Sequence, residues 1–311
     1  MNAVEIEGVT KTFGSHKAVD DLSMGVPAGS IYGFIGPNGS GKTTTIRMIM
    51  RILHSDSGRI RVLGEESFQA ANDRIGYLPE ERGLYKKMKV KDVLRFYAEL
   101  KNCRAAKQEI DRWLEVMQLG EWANKKVQAL SKGMSQKVQF ISAVIARPEL
   151  VILDEPFSGL DPVNAEVLKD AVLGLKRDGT TVIFSTHDMD VAEKMCDFIF
   201  MIFKGRKVLD GTLEEIQNRY GSDILRVRLG GDGNGDGEHV SIDLTDIVGV
   251  ERVNNFGRLQ ELRVARGVDT QKVLAELMQR GRVRHFEQAS PSLHDIFIRI
   301  AGPAAEESSH A

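Results

Sequence analysis

Residues Gly36-Pro37-Asn38-Gly39-Ser40-Gly41-Lys42-Thr43 put three glycines, a lysine and two hydroxyls, the last on Thr43, within one short stretch. Small residues let successive backbone N–H groups close around one anion, and a helix opening here adds the positive end of its dipole. The stretch fits G-x-x-x-x-G-K-[ST] without a mismatch. In that pattern the lysine reaches the β- and γ-phosphates of a nucleotide and the hydroxyl ligates Mg²⁺. A glycine turn that merely shares the pattern is the bland alternative. The flanks speak against it: an apolar strand, Ile31 to Ile35, runs in and a helical pattern, Thr43 to Leu53, runs out.

The second chemical stretch is Leu150-Val151-Ile152-Leu153-Asp154-Glu155-Pro156. Four apolar residues predict a buried strand that delivers two carboxylates at its C-terminal end, the edge where open α/β sheets bind ligands. Asp154 is placed to hold Mg²⁺, and Glu155 to orient or deprotonate an attacking water. An acidic helix cap after a strand would look the same in isolation. Ala129-Leu130-Ser131-Lys132-Gly133-Met134 reads by itself as a turn opening a helix, with Ser131 as its cap. Such a helix start can also bind phosphate. Ser158-Gly159-Leu160-Asp161 reads as a turn, and His187 ends the predicted strand Thr181 to Ser185.

These side chains need a scaffold. Short apolar strands at 31–35, 150–153 and 181–184 alternate with helical patterns, as a mostly parallel sheet requires. Residues 1–220 therefore read as one α/β nucleotide-binding domain. Within it, 83–147 is helix-dominated: Val93, Leu94, Phe96, Tyr97 and Leu100 recur at helical spacing, as do Ile110, Trp113, Leu114, Val116 and Met117. From 222 to 302 a small α+β domain is expected. Its strands are carried by Leu225, Val227 and Leu229, by Val240, Ile242 and Leu244, by 259–264, and by 282–287. One helix packs Val273, Leu274, Leu277 and Met278 and stops at Gly281; another is capped by Ser292 and packs Leu293, Ile296, Phe297 and Ile300. Residues 303–311 read as a disordered tail. Asp232, Asn234, Asp236, Gly237 and Asp243 nearly match a calcium loop, but strand-like flanks make a solvated turn the better reading.

Composition narrows the classes. Across 311 residues, 42 basic and 44 acidic side chains nearly cancel, so no basic excess points to nucleic acid. No apolar run nears the ~20 residues of a membrane-spanning helix. The Phe198 to Phe203 run is strand-length. The first residues carry no basic region followed by an apolar stretch, which argues against a secretory signal. Cys103 and Cys196 match no metal-ligand spacing and suit a reducing cytosol.

Taken together the motifs resemble the ATP-binding subunit of an ABC transporter over residues 1–220. The resemblance implies a P-loop NTPase fold with a helical subdomain, ATP and Mg²⁺ as cofactors, and ATP hydrolysis coupled to transport. It gives Phe13 the aromatic position that stacks on adenine and makes Gly36 to Thr43 the Walker A loop, with the adjoining Thr44 also in the nucleotide-binding set. It places Glu80 at the Q-loop position, Ser131 and Gly133 in the signature, Asp154 and Glu155 in Walker B, Asp161 in the D-loop and His187 at the switch. Glu155, His187 and Glu80 are then catalytic, and Thr43, Glu80 and Asp154 face the metal. The resemblance also implies pairing of two such domains, a homodimer or a paired ATPase subunit, with each ATP between the Walker motifs of one and the signature of the other. A separate membrane permease follows, with this chain cytoplasmic and peripheral on the inner face of the cell membrane.

Two departures stand out. Lys132 and Met134 replace a glycine and the glutamine of Leu-Ser-Gly-Gly-Gln, and Glu80 replaces the Q-loop glutamine, which removes an amide donor and adds a charge. With Glu80-Glu81-Arg82-Gly83-Leu84-Tyr85 and Ser290 to Phe297, they resemble the exporter subfamily of sodium-efflux and daunorubicin-type resistance ATPases. A soluble ABC-type ATPase in translation or DNA repair is the alternative, although such proteins usually carry two ATPase domains or a long coiled-coil insertion. A phosphate-transferring kinase is disfavoured by the signature stretch and Glu155.

Overall fold

The computed structural model describes residues 1–66, 72–80, 83–103, 105–221, 224–230, 243–257, 259–265 and 267–306. The chain divides into two compact units, Met1–Leu213 and Glu214–Ala311.

The first unit is built on two sheets. Strands β1 (Asn2–Phe13), β2 (His16–Pro27) and β4 (Ser57–Val62) form an antiparallel sheet in the order β2-β1-β4. Strands β3 (Ile31–Ile35), β5 (Ile75–Leu78), β6 (Leu150–Asp154), β7 (Thr181–Thr186), β8 (Phe198–Phe203) and β9 (Arg206–Gly211) form the other, in the order β5-β6-β7-β3-β8-β9. Its first five strands run parallel and β9 closes antiparallel on β8.

Alternation along each strand splits the core in two. Ile152, Ile183, Tyr32, Phe34 and Phe200 point to one side, where Ile46, Met48 and Ile49 of helix α1 (Lys42–Ile49) and the antiparallel sheet cover them. Val151, Leu153, Val182 and Phe184 point to the other side. There helices α2 (Val90–Leu100), α3 (Ala106–Val116), α4 (Lys132–Val144) and α5 (Pro162–Arg177) contribute Leu94, Trp113, Phe140 and Leu168. A strand buried on both faces must be apolar throughout, which is why 150–153 and 199–202 carry no polar residue. Helices α2, α3 and α4 fall within 83–147; Leu100 and Val116, at their ends, are exposed.

Parallel strands send their C-terminal ends to one edge. Just past those ends come Gly36 after β3, Glu80 two residues after β5, Glu155 after β6 and His187 after β7, with Ile35 opposite Thr186 and Asp154 opposite Ser185 in register. The short helix α6 (Met189–Met195), capped by Asp188, leaves that edge after His187.

The second unit has an antiparallel sheet of β10 (Ile224–Gly230), β11 (Val250–Asn255), β12 (Gln260–Val264) and β13 (Arg282–Ala289), ordered β11-β12-β10-β13. Leu225, Val227, Leu262 and Val264 meet Val273 and Leu277 of α8 (Thr270–Arg280) in its core. Helix α7 (Leu213–Tyr220) enters this unit, and α9 (Leu293–Glu306) ends the described chain. Ser292 caps α9 reciprocally: its Oγ accepts from the Asp295 N–H at 3.1 Å, while Asp295 accepts from the Ser292 N–H at 3.0 Å.

Several expectations change here. Leu244 is buried but lies outside any strand; Val240 and Ile242 lie outside the described residues. The unforeseen strand is β11, which pairs with the outer side of β12 and whose alternation is broken by an irregularity between Val250 and Arg252, which hides its period from the sequence. Met278 is 65% exposed rather than packed. Gly281 ends α8 with φ 170°, extended backbone that needs no glycine. Helix α9 runs to Glu306 and takes in residues 303–306 of the expected tail. In the calcium-like stretch, Asp232 to Gly237 lie outside the described residues, and Asp243 accepts hydrogen bonds from Thr245 N–H (3.0 Å) and Thr245 Oγ1 (2.7 Å) as a turn residue does.

Candidate nucleotide site

A cavity of about 370 Å³ opens over the start of α1, lined by Phe13, His16, Ala18, Asn38, Gly39, Gly41, Lys42, Thr43, Thr44, Glu80 and Glu155. The loop takes its path because two glycines leave no room for anything larger. A Cβ on Gly36 would lie 2.3 Å from the Ile202 carbonyl oxygen, and one on Gly41, at φ 110°, would lie 2.6 Å from that of Ala18. At Gly39 nothing lies within 4 Å of a Cβ position, which leaves the loop's crest open to a ligand.

Lys42 is 6% exposed and folds back on its own loop. Its Nζ donates to the carbonyls of Gly36 (2.7 Å) and Pro37 (3.2 Å) and stands 3.9 Å from Glu155 Oε1. Burial pushes this ammonium below the ordinary lysine value, and the charges of Glu155, Asp154 and Glu80 oppose the shift. The charges of three carboxylates thus act on one buried cation.

Asp154 is fully buried. Its Oδ1 accepts a short hydrogen bond from Ser185 Oγ, while Oδ2 has no partner. Glu155 is 7% exposed and holds φ 49°, a left-handed conformation uncommon outside glycine. Its N–H donates to the Ser185 carbonyl (3.2 Å) and Oγ (3.1 Å), and its Oε1 lies 3.0 Å from His187 Nδ1. Tyr77 on β5 faces the same charges. Its phenol is pushed up to about 12, first by burial and then by the Asp154 charge, with Arg47 opposing, so it stays protonated.

These residues fit a nucleotide with Mg²⁺. Among the described residues no cluster of three His, Cys, Asp or Glu is ready to hold a metal alone. Mg²⁺ ordinarily takes one or two carboxylates together with substrate phosphates and waters. An unpartnered buried oxygen on Asp154, beside Lys42 and the Thr43 hydroxyl's loop, suits that arrangement.

Not every site residue joins this cavity. Ser131, Gly133 and Asp161 do not line it. Ser131 is exposed and caps α4, its Oγ accepting from the Met134 N–H at 3.2 Å. A Cβ on Gly133 would lie 3.2 Å from Asn164 Nδ2 and 3.3 Å from Leu160 Cδ2. Asp161 caps α5, accepting from the Asn164 N–H at 3.0 Å, and these hydrogen bonds hold its carboxyl below the usual range. Gln136 of α4 donates a short hydrogen bond to the Pro156 carbonyl. The α4 edge is therefore anchored on the segment that follows Glu155.

His16, Ala18 and Ser185 were not singled out from the sequence. His16 pairs with Phe13 across the β1–β2 turn, so a hairpin reading of Phe13-Gly14-Ser15-His16 would have found it. Ala18 and Ser185 act through a carbonyl and one buried hydroxyl, and neither leaves a local pattern.

Two profiles match the chain: "ABC transporter" over residues 19–158, and "ATP-binding protein DrrA1-3-like, C-terminal domain" over 211–301. An uncharacterized ABC transporter ATP-binding protein of Bacillus subtilis (strain 168), YhaQ, is 43% identical over 97% of this chain and 99% of its own length. The Nod factor export ATP-binding protein I of Paraburkholderia xenovorans (strain LB400) is 32% identical over 96% of this chain and 97% of its own. A solved ATP-binding subunit of an ABC transporter aligns with TM-score 0.66 and 28% identity, over 70% of this chain and 93% of that one. The chain belongs to the ABC transporter ATP-binding proteins, with a DrrA-like C-terminal domain, in a family that binds and hydrolyses ATP in transport. Among the described residues no helix is long and apolar enough to cross a membrane.

Proposed function

We propose that this chain is the ATP-hydrolysing subunit of an exporter, acting on the inner face of the membrane through a separate permease. The observation that carries the reading is the cavity that joins Phe13, Lys42, Thr43 and Glu155, with His187 hydrogen-bonded to Glu155 and one Asp154 oxygen unpartnered. The export direction draws on the Nod factor export relative. The family, whose ATP-binding subunits work with membrane permease components, supports a separate permease.

In this reading the exposed ring of Phe13 stacks on adenine and the loop N–H groups take the phosphates. Lys42 exchanges the Gly36 and Pro37 carbonyls for phosphate oxygens, a charge-assisted contact that relieves its burial. Thr43, Asp154 Oδ2 and Glu80 would hold Mg²⁺, which neutralises phosphate charge when bound. Glu155 accepts the proton of an attacking water, and His187 fixes its carboxylate. Ser131, Gly133 and Asp161 lie apart from this cavity and serve the nucleotide of a second copy.

Glu155→Gln tests the core of the proposal. It should bind ATP as the parent does, slow hydrolysis about 10²- to 10⁴-fold, the range of a lost general base, and accumulate a stable ATP-bound dimer. Phosphate release sets the rate and gel filtration sets the state. Turnover within threefold of wild type would remove Glu155 from the catalytic role.

A further inference from the structure

Ser185 lies at the end of β7, is fully buried, and touches the Asp154 carboxylate and the Glu155 backbone N–H. A hydroxyl has one proton and two lone pairs. Here the proton goes to Asp154 Oδ1, and a lone pair accepts the Glu155 N–H at 3.1 Å. The Ser185 carbonyl takes the same N–H at 3.2 Å. Parallel register fixes this meeting, because Asp154 and Ser185 are paired residues of neighbouring strands.

Two consequences follow from these contacts. With Oδ1 held, the Asp154 carboxylate cannot rotate freely, and Oδ2 is left buried without a hydrogen-bond partner. With its N–H held twice, Glu155 keeps its left-handed backbone at φ 49°, which aims its side chain at His187. We propose that Ser185 is a positioning residue that assigns Asp154 Oδ2 to the cation and locks Glu155 for the attacking water. The inference rests on the reading of Asp154 as a metal-holding carboxylate.

The test uses the full chain and a fluorescent ATP analogue, titrated once in EDTA and once against Mg²⁺. Ser185→Ala should raise the Mg²⁺ concentration at half-effect about 10- to 100-fold, the usual cost of removing a partner that orients a metal ligand, while metal-free nucleotide affinity stays within about twofold. kcat should fall and KM for ATP at saturating Mg²⁺ should hardly move. Ser185→Thr keeps the hydroxyl and should restore most of the metal dependence. Ser185→Cys keeps a slightly larger side chain of the same shape with a weaker donor and should fall between, which preserves the test if the alanine variant does not fold.

Asp154→Asn, run in parallel, separates the two levels of the argument. If it shifts the Mg²⁺ titration and Ser185→Ala does not, the Ser185 inference is overturned and the Asp154 reading stands. If neither shifts it, the reading of Asp154 fails as well. If Ser185→Ala weakens metal-free binding as much as metal-dependent binding, Ser185 is only structural and the inference is overturned.

Discussion

Lys42 and Ser131 stand at the openings of two helices, α1 and α4, and meet opposite surroundings. Lys42 is buried, acted on by three carboxylate charges and bonded to carbonyls of its own loop, in a cavity walled by Phe13, Thr43 and Glu155. Ser131 is exposed and does not line that cavity, and its hydroxyl only caps the next turn. A helix start with its anion site assembled around it is ready within one chain. A helix start that is rigidly propped, by Leu160, Asn164 and the Pro156 carbonyl, but open on its outer side is ready for something supplied from elsewhere. In the proposed reading, one chain holds a binding half and a presenting half, and the segment after Glu155 ties the two together.

The contrast breaks most sharply at Lys42. Lys42→Ala should weaken ATP binding about 10- to 100-fold, the equivalent of the ~1.5–3 kcal/mol of a hydrogen bond to a charged group. Calorimetry at dilution measures the loss on the single chain. Ser131→Ala should leave that binding within about twofold and cut only the hydrolysis of the paired state. Mixing the two inactive variants sharpens the point. A mixed pair joins the intact Lys42 of one chain to the intact Ser131 of the other, so random pairing should restore about a quarter of the wild-type rate. A mixture no more active than its parents would mean that the two halves do not meet across copies.

The binding half was far more legible in the sequence than the presenting half. Gly36, Gly41 and Lys42 are forced by backbone crowding and charge, so their identities and spacing announce the loop. Asp154 and Glu155 follow a strand whose unbroken apolar run signals burial on both faces. Ser131 by contrast looks like any helix cap, because capping is what it does within one chain. Ser185 was invisible for another reason: its partners are 30 and 31 positions away and are brought to it only by parallel register. In the second unit, helix α8 and strands β10 and β12 follow clean periods, whereas β11 hides behind its irregular pairing with β12. Local pattern records what the backbone must do; it does not record which distant side chain completes a contact.

Glu80 gives a smaller effect on the binding half. It is exposed at the end of β5, lines the cavity and adds to the field on Lys42. Glu80→Gln should change the Mg²⁺ requirement for hydrolysis by about three- to tenfold, with nucleotide affinity in EDTA improved because one negative charge near the phosphates is gone. An unchanged metal titration would place Glu80 outside the cation's reach.

The smallest expected effect is a displacement along the pH axis. The protonated ammonium of Lys42 is the form that holds phosphate, and burial lowers its proton affinity while Glu155, Asp154 and Glu80 raise it. For a group with a lowered value, the binding form is present at low pH and is lost as pH rises through that value. ATP affinity should therefore begin to fall at a lower pH than an ordinary lysine with its value of 10.5 would give. Glu155→Gln removes the largest of the three opposing charges, so its affinity should fall at a still lower pH than in the parent. Ser131→Ala, away from the Lys42 cavity, should leave the midpoint where it is. Titrating affinity against pH in all three proteins measures the order. A Glu155→Gln midpoint at or above that of the parent would show that the 3.9 Å pair contributes nothing to holding the lysine charged.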